Sequence, residues 1–115
     1  MSFIKPLFWL STIVLAIASL VPITLLTGPV FNMWDKAQHA GGFAWLALLG
    51  VCSYSQKPLH VAASLLAYGA AIELAQAATG WRYGEWSDLA ADGVGIVVGV
   101  FFATWVLRKT PRTAS

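Results

Sequence analysis

Charge is scarce in this sequence: Asp, Glu, Lys and Arg supply 10% of the residues, against 58% that are hydrophobic. A soluble protein of 115 residues needs a much larger polar exterior, so that class is excluded. Cysteine is nearly absent too. The lone Cys52 lies inside an apolar run, which rules out a disulfide framework and leaves the redox compartment unread. No close metal-ligand spacing of the H-E-x-x-H kind occurs, so no metal site and no cofactor are assigned. Oxygen-rich ligands such as Asp88 and Asp92, with His39 and Glu73, would suit magnesium, calcium or manganese, but nothing in their linear spacing demands an ion. Ser87 is the one candidate nucleophile, with no activating base at a readable distance.

Apolar runs are what the chain has instead. They cover about residues 7–27, 37–54, 59–79 and 89–107, and a helix of about 20 apolar residues is long enough to cross a bilayer core. The expected fold class is therefore all-α, an integral membrane bundle of four transmembrane helices in a single domain over 1–109. A short disordered tail is expected over 110–115. The first run carries no charge. Its competing reading is a secretory signal, with Lys5 as the charged start and Ala16-Ile17-Ala18 as a small-residue cleavage site. Yet the run continues through Val21, Ile23, Leu25 and Leu26, past where such a region stops, so an uncleaved helix is expected.

Four crossings put both termini on the side of the loop around Lys57. That side holds Lys5, Lys57, Arg108, Lys109 and Arg112, against Lys36 and Arg82 opposite. Short basic loops stay in the cytoplasm, so both termini are expected to be cytoplasmic. The acids Asp35, Glu73, Glu85, Asp88 and Asp92 all fall in or near the outer half. Acids contribute little to orientation, so their gathering asks for a local cause.

Helical spacing sorts these groups onto faces. Asp35, His39, Gly42 or Phe43, Leu46 and Gly50 share a stripe on the second helix. Gly69, Glu73, Gln76 and Gly80 share one on the third, and Asp88, Asp92, Gly95 and Gly99 on the fourth. Each stripe is polar toward the outer surface and small deeper down. Small residues four apart allow backbones to approach closely, so helices two to four are expected to meet along the stripes. Gly95 and Gly99 are also expected to serve a homo-oligomer or a membrane protein partner. Helix one, with few polar residues, is expected to pack outside as a scaffold.

An acid within a membrane helix is costly, which makes Glu73 a candidate site residue that should be protonated or paired. Gln76, three residues on, is placed to donate to its carboxylate. His39 is the candidate acid or base beside it, with a buried structural imidazole as the bland alternative. Arg82 offers a planar fork for phosphate or carboxylate, with Lys36 beside it as the second half of an anion clamp. Against this stand a headgroup anchor for Arg82 and an exposed Asp35–Lys36 pair of little energetic weight. Ser87 or Asp88 is expected to cap the fourth helix.

Asp35-Lys36-x-x-His39-x-x-x-Phe43, then Glu73-x-x-Gln76, then Arg82, Ser87, Asp88, Asp92, Gly95 and Gly99 together resemble the VanZ-like family of small bacterial membrane proteins. The resemblance spans more than half of the chain, with several polar blocks in order. It implies a multi-pass protein of the bacterial cytoplasmic (inner) membrane, linked to resistance to the glycopeptide teicoplanin. The family commonly carries asparagine where this chain has Asp92, so here a negative charge replaces an amide donor.

The expected function is recognition, or chemical alteration, of a polar or anionic headgroup on an envelope lipid or lipid-linked cell-wall precursor in an outward-facing polar pocket. His39 and Glu73 would be the acid–base pair, Lys36 and Arg82 the clamp, and Asp35, Gln76, Ser87, Asp88 and Asp92 binding or positioning groups. The alternative is a non-catalytic assembly or accessory module whose polar residues are structural. No nucleic acid is expected as partner. A transporter fits poorly, because the inner half lacks polar residues to line a path.

Overall fold

A computed structural model of the chain describes residues 3–20, 29–80 and 86–109, with the side chains of 29–35 excepted. Among these residues the chain forms four helices and no strand: α1 (Ile4–Leu20), α2 (Pro29–Ser53), α3 (Pro58–Thr79) and α4 (Trp86–Lys109). Pro29 and Pro58 open α2 and α3, where a fixed φ and a missing N–H cost nothing. Gly80 closes α3 in the left-handed region at φ 82°, a conformation glycine adopts without a Cβ penalty. It is a stop signal, exposed, and not a packing member of the α3 stripe.

α2 and α4 both begin before the apolar runs that marked them. α2 begins at Pro29, so Trp34–Gly42 is helical throughout. α4 begins at Trp86, which puts Ser87 and Asp88 inside the first turn and corrects the capping role expected of them. Asp88 still meets the positive end of the helix dipole there. The end of the first apolar run, the tail 110–115, Arg82 and the side chain of Asp35 lie outside the described residues.

Contacts fix the directions of the helices. Phe8 and Leu15 of α1 approach Gly50 and Gly42 of α2, so these two run antiparallel. Gly50 meets Val61 and Phe43 meets Gly69, so α2 and α3 are antiparallel as well. Gly95 meets Ala40 and Gly99 meets Ala44, which makes α2 and α4 parallel neighbours. The bundle is up-down-up-down, with α2 touching the other three helices and making its most extensive interface with α4.

That interface depends on two glycines. A Cβ added at Gly95 would lie 2.1 Å from the Ala40 carbonyl oxygen, and one at Gly99 would lie 2.3 Å from that of Ala44. The small-residue stripe therefore brings backbone against backbone, as expected of such spacing. Its partner is the chain's own α2. Within this chain both glycines are buried against α2.

The distribution of side chains is inverted relative to a water-soluble domain. Trp9, Ile13, Leu66, Leu74, Val98 and Phe101 are among many exposed large hydrophobics. Buried positions include Ser19, His39, Glu73, Gln76, Asp88 and Asp92. α3 and α4 are each long and apolar enough to cross a membrane.

Candidate functional site

The parallel register of α2 and α4 sets one polar rung above another. Lys36 and His39 are one turn apart on α2, as are Asp88 and Asp92 on α4. Lys36 Nζ lies 3.5 Å from Asp88 Oδ1, and one turn deeper His39 Nδ1 lies 2.8 Å from Asp92 Oδ1. The two pairs differ in energetic weight. Lys36 is about a third exposed, so solvent screens the upper pair to at most about 1 kcal/mol. His39 and Asp92 are 5% and 0% exposed, where charge and hydrogen bonding go unscreened. A carboxylate only accepts, so Nδ1 of His39 is the donor in this bond.

Glu73 arrives from α3, and one ligand-type atom from each of His39, Glu73 and Asp92 lies within 4.8 Å of the others. The side chain is buried, with 9% exposure. Three helices thus deliver an imidazole and two carboxylates to one point, within the N-terminal halves of α2 and α4 and the C-terminal half of α3. Asp92 Oδ2 has no hydrogen-bond partner among the described residues, although the residue is wholly buried. An unsatisfied buried acceptor of this kind costs about 1–3 kcal/mol, more when charged. Phe43 and Tyr68 meet nearby with ring centroids 5.9 Å apart and planes tilted by 44°, and Phe43 lies against Gly69 beside Asp92.

Gln76 behaves otherwise than expected. Its Nε2 donates to the Ser19 carbonyl of α1 at 2.9 Å, so the amide meant to hold Glu73 instead ties α3 to α1. Ser19 belongs to the helix with few polar residues. Its part is played by a backbone carbonyl, which no residue type announces. Gln76→Leu is expected to lower stability by about 0.6–1.7 kcal/mol, the range for interhelical bonds in membranes. A thermal melt of the protein in detergent checks this.

The structure brings together His39, Glu73 and Asp92, with Lys36 and Asp88 one turn above. Ser87 is exposed beside them. Asp35 and Arg82 fall outside the described side chains. A separate groove of about 310 Å³ lies at the opposite end of the bundle, lined by Phe8, Trp9, Tyr54, Lys57 and His60 among others. It is almost wholly apolar and shares no residue with the buried cluster. The basic residues Lys5, Lys57, Arg108 and Lys109 are exposed at that same end. No protein family model matches the chain, and neither a curated protein nor a solved structure matches it.

Proposed function

We propose that this chain is a four-span protein of the bacterial inner membrane, related to the VanZ-like family, with both termini in the cytoplasm. In this reading the outer end of the bundle recognises the polar, anionic headgroup of an envelope lipid or lipid-linked cell-wall precursor. Teicoplanin resistance would follow from that recognition. The orientation is supported by exposed bases at one end and buried acids toward the other, since basic ends stay inside. The apolar outer faces of α1, α3 and α4 support immersion in lipid.

One observation carries the functional part: ionisable groups from three different helices converge at a buried point. Ionisable residues placed inside a membrane are expensive and mark sites by default. Lys36, about a third exposed at the upper rung, is the group that an arriving phosphate meets first, with Arg82 as its partner in sequence. His39 and Glu73 lie below as the acid–base pair, with Asp92 holding the imidazole tautomer. Native mass spectrometry of protein extracted with its own lipids tests this reading. One retained anionic envelope lipid is expected, lost in Lys36→Met and Arg82→Ala; retention of no particular lipid sinks the reading.

The second reading, a non-catalytic assembly module, is favoured by the Gln76–Ser19 bond, which is structural by its geometry. Under it, the buried polar groups hold the helices in register and partners dock on the apolar faces.

A further inference from the structure

His39, Glu73 and Asp92 combine one nitrogen donor with two carboxylates, drawn from three helices and set within 4.8 Å. Taken by themselves, a protonated imidazole and two ionised carboxylates sum to −1, at a site with almost no solvent. A divalent cation beside a neutral imidazole removes that imbalance.

Two further observations point to a ligand. Asp92 Oδ2 lacks a hydrogen-bond partner among the described residues, on a side chain with 0% exposure. A Cβ added at Gly69 would come within 2.6 Å of that same oxygen and 3.3 Å of the Phe43 ring. Gly69 lies one turn before Glu73 on the same face of α3. The missing side chain therefore lets the Asp92 carboxylate pack directly against the α3 backbone, one turn before Glu73.

We propose that His39, Glu73 and Asp92 bind a divalent transition-metal ion of the Zn²⁺ or Mn²⁺ kind. The donor set selects the class. Calcium and magnesium take oxygen ligands almost exclusively, and soft copper(I) favours sulfur, whereas a mixed imidazole–carboxylate set suits zinc and manganese. Neighbouring donors bound at about 2.1 Å to one ion are about 3.0–3.5 Å apart, so side-chain rotations that draw in atoms now within 4.8 Å of one another would close the set around an ion. The functional meaning of the ion rests on the headgroup reading, because a bound cation would meet a phosphate oxygen; its binding is measured without any lipid.

The full chain, purified in detergent and stripped with chelator, is dialysed against Zn²⁺ or Mn²⁺, and metal content and affinity are measured by mass spectrometry and calorimetry. One equivalent per chain is expected. Affinity should fall by at least about 10–100-fold, the scale for losing only an outer-shell partner, in Asp92→Asn and in Glu73→Gln. It should also fall in Gly69→Ala, which keeps all ligands but presses a methyl group on Asp92. His60→Gln, at the far end, should bind as wild type does. Circular dichroism confirms folding; where Asp92→Asn does not fold, Glu73→Gln and Gly69→Ala decide. Wild type that takes up no metal, or folded variants that bind as tightly as wild type, overturns the proposal. Lipid retained without metal uptake defeats the ion alone, and metal uptake without lipid defeats the headgroup reading alone.

Discussion

Glu73→Gln is expected to give a protein that accumulates and melts like wild type but loses lipid retention by about 10–100-fold, as when a group supporting a site is removed. Glutamine nearly matches glutamate in shape and still forms hydrogen bonds, so packing against α2 and α4 is preserved. What disappears is the negative charge beside His39 and Asp92. If the buried polar groups serve structure alone, the outcome reverses: lipid retention stays unchanged and only the melting temperature moves. The comparison discriminates because the two readings place the importance of Glu73 in different properties, its charge or its fit. Measuring abundance in the membrane beside lipid retention keeps a folding defect from passing as a binding defect.

The second large effect belongs to Gly95. Alanine there puts a methyl carbon 2.1 Å from the Ala40 carbonyl oxygen, and backbone cannot rotate away as a side chain can. α4 must move off α2, taking Asp92 away from His39 and Asp88 from Lys36. Gly95→Ala is expected to destabilise the bundle by about 1–3 kcal/mol or more, the scale of overpacking with backbone shifts. Gly93→Ala is the control. A Cβ at Gly93 meets nothing within 4 Å, so this variant gains helix propensity and should be neutral or more stable by up to about 1 kcal/mol. Thermal melts of the two variants in the same detergent decide the matter. Equal melting temperatures would show that α2 and α4 are not in backbone contact.

These effects bear on how much could be read before folding. Periodicity alone placed His39, Phe43, Leu46 and Gly50 on one stripe, and Asp88, Asp92, Gly95 and Gly99 on another; all eight are buried. It also identified the four helices, because apolar runs of that length have few alternatives. The helix starts were less legible. Asn32, Asp35 and Lys36 interrupt hydrophobicity without interrupting helical backbone, so α2 extends well before its apolar run. Gly80 was assigned to a packing stripe from its spacing, yet it terminates α3, since a glycine's φ is set by the chain around it.

The sequence by itself determined the number of helices, the face of each that carries polar groups, and the segregation of bases from acids along the bundle. All of these follow from local spacing around a single helical axis, 3.6 residues to a turn. Tertiary structure alone decided partners. His39 meets Asp92 across 53 residues of chain, Gln76 turns to a backbone carbonyl of α1 and away from Glu73, and Gly95 packs on the chain's own α2. Helical phase says which way a side chain points but not how far its helix slides along a neighbour. That register is set by non-local fit, here by where two glycines admit two carbonyl oxygens.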